Sequence, residues 1–433
     1  MGFASLWLGS GSLFPELINE APDKETGIIV VVPAFDEPFI LEMLDSLAIC
    51  QPPSCKSEVI IVINAPLNAS SESLENNLES ISDIVDWKKK NQKCFFRIYV
   101  ISPGQPELKG WGVGLARKSG MDEALRRFNN IERPDGVIVN LDADCTVQNN
   151  YFVSLENGLL KKKERKGCSI YFEHPVSGDK FPQNIYDSVY QYELHLRYYF
   201  QALSFTGFPN VFHTVGSSIA VKSMAYMKAG GMNRRQAGED FYFVQKLIPA
   251  GGYFSLNTTT IYPSPRVSGR VPFGTGAAVG KMVNEESNKL LTYNPLAFKD
   301  LFIFFEYLHK IFENPAEDLL LLFYDFPESL KLFLEEQDWI VKIDEIKRNT
   351  SGYTSFRKRF FEWFNMFKVV KYLNFSHKST FEKVPVEFAA EELLRYRKTD
   401  PAIALKVGLL EFYRSLERNT EIHSLKTEVG SPE

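Results

Sequence analysis

Two aspartates one residue apart, Asp142 and Asp144, directly follow an apolar segment, residues 136–141. The segment is rich in valine and isoleucine and is preceded by a Pro-Asp turn, which is typical of a buried strand. Carboxylates at such a strand end can hold a divalent cation through oxygen ligands next to a phosphate group. Open α/β sheets also bind their ligands beyond the carboxyl ends of their strands. A solvated acidic turn is the commonplace alternative, so the rest of the sequence has to decide.

Composition limits the class of protein. With 433 residues the chain is long enough for about two or three domains. Hydrophobic residues make up 44% and charged residues 24%, as in an ordinary soluble globular protein. The net charge of −5 argues against a nucleic-acid partner, which would require a basic face.

The cysteines and the apolar segments bear on location. Five scattered cysteines without C-x-x-C spacing indicate free thiols in a reducing compartment. The first twelve residues lack the basic start and long apolar core of a signal peptide. The apolar stretch 296–326 contains too many charged residues to span a bilayer. We therefore expect a cytoplasmic protein; peripheral contact with the inner face of the membrane is compatible with these features.

Apolar runs alternate with helical patterns over the first 285 residues, with Pro33 expected to end the first strand. This alternation predicts an α/β fold with a mostly parallel sheet covered on both faces. Residues 68–90 are polar and predict a surface helix with a loop, or a partly mobile insertion. Buried strands are predicted at 27–32, 58–63, 94–101, 136–141 and 167–172. Helices are predicted at 39–49, 112–128, 150–162, 185–203 and 238–250.

Beyond about residue 285 the pattern changes to amphipathic segments rich in phenylalanine and leucine. Helices are predicted there at 296–312, 316–339, 354–373 and 384–416. The resulting domain prediction has four parts: an N-terminal extension (1–26), the α/β domain (27–285), a mainly helical C-terminal region (286–418) and a frayed tail (419–433). Aromatic residues at helical spacing in the C-terminal region indicate core packing; a hydrophobic acceptor groove or membrane-facing surface is the alternative.

Several motifs appear in a fixed order within residues 27–276. They are Val32-Pro33-Ala34-Phe35-Asp36-Glu37, the segment Gly112–Lys118 (GVGLARK), Asp142-Ala143-Asp144, Gly230-Gly231-Met232 and Glu239-Asp240. In order and spacing they resemble the family 2 glycosyltransferases with the Rossmann-like GT-A fold. The resemblance implies inverting transfer of a sugar from a nucleoside diphosphate sugar to an acceptor hydroxyl. The acceptor, whether carbohydrate, lipid-linked or protein, stays open.

The resemblance also implies a metal site. Asp144 would be the direct ligand of Mn²⁺ or Mg²⁺, and Asp142 would contact the ribose or a metal-bound water. Such a metal offsets the negative charge that builds up on the departing diphosphate. The family's late histidine ligand has no counterpart, since His213 precedes Asp240 and His309 lies in the helical region.

Further residues take roles in donor binding by the same resemblance. Pro33, Ala34, Asp36 and Glu37 would line the nucleoside pocket, although the two acids could equally cap the following helix. Asn64 stands where the family usually has an aspartate and could contact the base, or be a turn residue.

The segment around Gly114 corresponds to a family motif in which Lys118 replaces an asparagine. Gly114 would allow close approach of the backbone to the ligand, and Arg117 could reach the nucleotide or be an ordinary exposed helix residue. Trp111 could stack on a sugar or anchor the helix.

The last group concerns catalysis and the leaving group. By resemblance Asp240 is the general base and Glu239 an acceptor contact; an ordinary helix N-terminus is the alternative. Arg266 and Arg270 lie in a Gly/Ser-containing loop that could clamp a pyrophosphate or be a solvated basic loop. A non-catalytic nucleotide-sugar binding protein of the same fold is the main rival function. Nucleotidyl transfer is disfavoured, because it calls for a Gly-rich basic loop after the first strand.

Overall fold

The structure, a computed structural model, describes residues 2–103, 112–233, 238–268, 274–284 and 289–418. The chain forms two compact units. The first draws on Met1–Tyr186 and Phe212–Gly280 together with the last two described residues, and the second on Asp187–Val211 and Lys281–Leu416.

An eight-stranded sheet forms the first unit, with the strand order β3-β2-β1-β4-β7-β6-β8-β5. Four of its seven pairings are parallel; β7 is antiparallel to both of its neighbours, and β5 is antiparallel to β8. The strands are β1 (Thr26–Ala34), β2 (Lys56–Ile63), β3 (Phe96–Ile101), β4 (Val137–Asn140), β5 (Thr146–Val147), β6 (Gly167–Phe172), β7 (Ile219–Lys222) and β8 (Tyr253–Tyr262). The short strands β9 (Leu291–Thr292) and β10 (Val384–Pro385) pair separately.

Helices flank the sheet and make up most of the second unit. In chain order they are α1 (Ser5–Gly11), α2 (Ile40–Ala48), α3 (Ser71–Lys90), α4 (Val113–Asn130), α5 (Tyr151–Leu155), α6 (Gln183–Phe205), α7 (Ser223–Lys228), α8 (Glu239–Leu247), α9 (Thr275–Asn284), α10 (Pro295–Glu306), α11 (Leu308–Glu313), α12 (Leu319–Tyr324), α13 (Glu328–Glu335), α14 (Trp339–Arg348), α15 (Tyr353–Trp363), α16 (Met366–Ser379), α17 (Val386–Tyr396), α18 (Pro401–Val407) and α19 (Leu409–Arg418). The predicted α/β class is confirmed: the sheet is mostly parallel and flanked by helices, and the C-terminal region is mainly helical.

Strand β1 is central, and all nine of its residues are buried, as expected for a strand covered on both faces. Helix α4 packs against β1 and β2. A Cβ at Gly120 of α4 would lie 2.4 Å from a methyl carbon of Val31, so the glycine permits a close approach of helix and strand. This contact holds the first turn of α4 near the carboxyl ends of the strands.

The prediction that Pro33 ends the first strand is wrong. β1 continues to Ala34, with Pro33 in register with Val62 of β2. The pairing of β1 with β4 stops at Val31. Ala34 directs its carbonyl toward β2, so the missing N–H of Pro33 faces the side where no partner strand continues, and no ladder bond is lost.

Several other elements differ from the predictions because their local sequence patterns are weak. Residues 71–90 form one continuous helix, which resolves the choice left open for that segment. Strands β5, β7 and β8 and helix α7 were not predicted; β5 and β7 are short, and β8 carries three consecutive threonines.

In the C-terminal region the long predicted helices are interrupted. The predicted helix 316–339 breaks between α12 and α13, where Pro327 cannot continue a helix. The predicted helix 384–416 is divided into α17, α18 and α19. Lys398 adopts a left-handed conformation, φ 57°, between the first two, and Gly408, φ 91°, separates the last two.

Candidate functional site

The loop at the carboxyl end of β1 is held by α3. Asp36 adopts a left-handed backbone conformation, φ 51°, which aspartate tolerates better than most residues. Its carboxylate accepts hydrogen bonds from the Ser73 hydroxyl at 2.9 Å and the Asn76 amide at 2.7 Å. Its backbone N–H donates to Asn77 Oδ1 at 2.9 Å. Asp36 therefore braces the turn from which Glu37 extends.

Asn64 lies beside this loop, at the end of β2. Its backbone N–H donates to the carbonyl of Ala34 at 3.0 Å, and its own carbonyl accepts from the Asn77 side chain at 3.0 Å. Pro33, Ala34 and Asn64 are all buried. The structure thus brings these three predicted site residues together at the carboxyl ends of β1 and β2.

Arg117 is the central cation of the site. It lies in the second turn of α4, and its side chain is only 6% exposed. One guanidinium nitrogen donates to Asp142 Oδ1 at 2.6 Å, and the other amino nitrogen donates to Glu239. The alternative of an exposed surface arginine is therefore wrong.

The Arg117 guanidinium packs closely against backbone. A Cβ at Gly216, just before β7, would lie 2.4 Å from Arg117 Nη1. Gly114, in the first turn of the same helix, is buried. Gly216 was not predicted, and nothing in its local sequence, Gly216-Ser217-Ser218, distinguishes it from an ordinary loop glycine.

Asp142 and Asp144 follow β4 and face different arginines. Asp142 pairs with Arg117, and its side chain is 34% exposed. Asp144, 22% exposed, accepts from Arg266 Nε at 3.3 Å. Both aspartates therefore have an arginine partner and also keep some accessible surface.

Arg266 links the Asp-x-Asp segment to the β1 loop. Besides Asp144, it donates through Nη2 to the Glu37 carboxylate. Glu37 also accepts a hydrogen bond from the Phe39 N–H at 3.1 Å, and the Phe39 ring centre lies 5.5 Å from the guanidinium carbon. Arg266 is therefore part of the acidic cluster and not a solvated loop residue.

Glu239 and Asp240 occupy the first turn of α8, after Gly238 in a left-handed conformation, φ 72°. The buried Glu239 faces Arg117. Asp240 is half-buried, and its carboxylate accepts from the Phe241 N–H at 2.7 Å. Because Arg117 contacts both Asp142 and Glu239, the Asp-x-Asp and Glu-Asp motifs belong to one site.

Burial is the largest influence on the pKa values of Asp144 and Glu37. It raises the pKa of Asp144 to about 6, with the Glu37 and Asp142 charges acting in the same direction and Arg266 opposing them. Burial also raises the pKa of Glu37, against the lowering effect of Arg266. These carboxylates are crowded and partly shielded from water, and both effects disfavour their charged forms.

Burial and neighbouring charges also have opposite effects on the pKa values of Asp240 and Arg117. Burial raises the pKa of Asp240 to about 6, although the positive charge of Arg117 lowers it. Burial disfavours the charged form of Arg117, but the nearby carboxylates, Asp142 first, raise its pKa above the ordinary value. Arg117 therefore stays charged, and Asp240 titrates close to neutral pH.

The donor set of the site fits a divalent cation. Among the described residues, five carboxylates (Glu37, Asp142, Asp144, Glu239 and Asp240) and two arginines form the site, so these side chains sum to three negative charges when all are ionised. The described part of the chain contains no group of three or more His, Cys, Asp or Glu side chains arranged to hold a metal. Mg²⁺, however, commonly takes only one or two carboxylates together with substrate phosphates and water. Asp142 and Asp144, which keep some accessible surface, are the two carboxylates that could serve in this way.

Two predicted residues, Arg270 and Trp111, lie outside the ranges that the structure describes. Besides Gly216, sequence reasoning missed Ser73, Asn76 and Asn77, which brace the loop from α3. The only feature of the sequence that could have indicated this role is a run of small polar and amide residues in a surface helix. No helix within the described ranges is long and apolar enough to cross a bilayer.

Comparisons with known proteins identify similar solved structures only; no family model and no curated protein matches the chain. S. aureus TarS 1-349 in complex with UDP-GlcNAc is 16% identical, with 74% of this chain and 80% of that chain covered and a TM-score of 0.37. The mannosyltransferase PcManGT from Pyrobaculum calidifontis, in complex with GDP-Man and Mn²⁺, is 17% identical, with 62% and 64% covered and a TM-score of 0.35. Glucosyl-3-phosphoglycerate synthase from Mycobacterium tuberculosis is 13% identical, with 65% and 90% covered and a TM-score of 0.32.

The match to another structure of TarS 1-349 spans 60% of that chain. Similarities of this extent do not define the activity of this protein. The site has to be interpreted from its own geometry.

Proposed function

We propose that this protein is a glycosyltransferase that moves a sugar from a nucleoside diphosphate sugar to an acceptor hydroxyl, with metal assistance and inversion. The observation that carries the proposal is the bridge from Arg117 to Asp142 and Glu239. It joins the acidic pair after β4 to the first turn of α8, which supports a donor site at Asp142 and Asp144 beside a base at Asp240.

The cationic groups of the site would bind the diphosphate of the donor. Asp142 and Asp144 would hold Mn²⁺ or Mg²⁺, which supplies Lewis-acid stabilisation of the departing diphosphate when bound. Arg266 would bind the same diphosphate through its planar guanidinium, with Arg270 a further proposed contact.

The nucleoside would lie against the ends of β1 and β2. Pro33, Ala34 and Asn64 are buried side by side there, and Gly114 lies in the first turn of the helix that carries Arg117. Because Asp36 is already bonded to α3, we assign it the role of shaping the pocket. Asn64 is the better candidate for a base contact.

Asp240 would act as the general base. Its carboxylate accepts the proton of the acceptor hydroxyl while that oxygen attacks the anomeric carbon. The bond from the anomeric carbon to the diphosphate oxygen breaks on the opposite side, which inverts the configuration. A pKa of about 6 suits this task, because a base works best when its pKa lies near the operating pH. Glu239 is assigned mainly to positioning Arg117, with acceptor contact as a secondary role.

The decisive experiment compares the wild type with Asp240→Asn. Donor hydrolysis and transfer are measured with a panel of UDP- and GDP-sugars, with and without Mn²⁺, and binding by thermal shift. Donor at one hundred times its Kd stabilises the fold by about 2.7 kcal/mol. We expect Asp240→Asn to keep this stabilisation and to lose turnover, while Asp83→Asn on the exposed face of α3 behaves as wild type. Equal turnover in Asp240→Asn would exclude the base, and binding without turnover in the wild type would identify a non-catalytic binding protein.

The acceptor and the cellular location remain parts of the proposal. The acceptor would be a carbohydrate, a lipid-linked sugar or a protein. We propose a cytoplasmic location, with which peripheral contact at the inner membrane face is compatible.

A further inference from the structure

Arg266 occupies an unusual position for a residue expected to bind phosphate. Its guanidinium lies between two carboxylates that are remote in sequence, Glu37 after β1 and Asp144 after β4. The side chain is 14% exposed, and the Phe39 ring lies beside the guanidinium. Arg266 therefore acts as an internal counter-ion to the acidic cluster.

The two bonds of Arg266 are unequal. The Nε–Asp144 Oδ2 distance of 3.3 Å is long for a charge-assisted hydrogen bond, whereas the contact with Glu37 is close. Asp144 is thus the more weakly held of the two partners. It is also the carboxylate to which the proposed function assigns direct contact with a metal.

Two cations cannot share Asp144 without mutual repulsion. A guanidinium and a divalent ion within a few ångströms of one carboxylate repel each other, and partial burial strengthens that repulsion. The same guanidinium is attracted to a diphosphate. The arrival of a diphosphate therefore changes which negative group Arg266 prefers.

We propose that Arg266 is an exchangeable counter-ion that couples metal binding to donor binding. This inference rests on the proposed function. With no donor bound, Arg266 pairs with Glu37 and Asp144, and its positive charge keeps the affinity for a divalent cation low. When a nucleoside diphosphate binds, Arg266 pairs with its phosphates and releases Asp144, so that metal and nucleotide bind cooperatively.

The test measures Mn²⁺ binding to the full-length protein by the electron paramagnetic resonance signal of free Mn²⁺, without and with UDP or GDP. We expect Arg266→Met to bind Mn²⁺ alone roughly tenfold more tightly than the wild type, and its affinity to respond less to the nucleotide. Arg266→Lys retains the positive charge and should stay close to the wild type.

A matched control is Arg165→Met. Arg165 also lies over a phenylalanine ring, that of Phe254 at 4.2 Å, and donates to the Gly158 carbonyl, but it has no part in the acidic cluster. Its loss should leave Mn²⁺ affinity unchanged. Circular dichroism melting curves confirm that each variant is folded before binding is compared.

The outcomes separate the two proposals. Equal or weaker Mn²⁺ binding by folded Arg266→Met overturns the counter-ion inference, as does the absence of Mn²⁺ binding in every variant. Tighter Mn²⁺ binding by Arg266→Met, together with no turnover of any nucleotide sugar by the wild type, supports the counter-ion while the proposed transferase activity fails.

Discussion

Gly216 and Arg117 are in such close contact that any side chain at position 216 would displace the guanidinium. A Cβ added to Gly216 would lie 2.4 Å from Nη1, well inside van der Waals contact. The position of Arg117, and with it the ion pairs to Asp142 and Glu239, thus depends on the absence of a side chain at residue 216.

Gly216→Ala should therefore disturb the site more than the fold. We expect a loss of about 1–3 kcal/mol in the free energy of unfolding, as for other overpacked positions, and a clear rise in the Kd of the donor. Urea unfolding and a donor titration measure the two effects. Gly9→Ala is the control, since a Cβ there meets no atom within 4 Å; donor affinity unchanged in Gly216→Ala would contradict the importance of this contact.

Replacement of Arg117 should be costly because it leaves the buried carboxylate of Glu239 without this partner. Breaking a buried ion pair on one side typically costs about 3–5 kcal/mol, and we expect Arg117→Met to lose that amount in urea unfolding. The double variant Arg117→Met/Glu239→Gln should recover much of the stability, because Glu239 no longer carries a buried charge, but none of the turnover. Full stability of the single variant would show that the pair contributes little.

The activity should depend on the ionisation of Asp240. Its pKa is raised to about 6, so the carboxylate is the working base above that value and is protonated below it. We expect kcat/KM to fall about tenfold per pH unit below pH 6, which a pH–rate profile measures. A profile flat down to pH 4.5, with the protein still folded, would assign the proton transfer to another group.

The same raised pKa makes Asp240 a cost to stability. An acid whose folded pKa lies above its unfolded value of 3.8 is destabilising at pH 7, and this cost disappears as the pH falls from about 6 to 4. Asp240→Asn should thus stabilise the protein at pH 7 by at most about 3 kcal/mol, and the gain should vanish near pH 4. Thermal melts of both proteins across this pH range provide the measurement; a gain independent of pH would point to packing and not to charge.

Most of the sheet framework could be predicted from the sequence. β1, β2 and β4 each contain a continuous apolar run, which no other local structure explains as well. The prediction failed for β7 and β8, where four residues in one case and a threonine-rich segment in the other depend on neighbouring strands for their conformation. Helices in the C-terminal region were predicted too long, because apolar periodicity continues across Pro327 and Gly408 although the backbone does not.

The candidate site, like the fold, could be predicted from the sequence only in part. The sequence alone indicated that acids follow β4 and begin α8, because a strand's apolar pattern and a helix start are local properties of a few residues. It also indicated that Arg117 and Arg266 were candidates for phosphate contact. Only the tertiary structure decided that Arg117 pairs with Asp142 and Glu239 and that Arg266 pairs with Glu37 and Asp144. Those pairings join residues up to 229 positions apart, and electrostatic attraction depends on distance in space, which the order of residues along a chain does not specify.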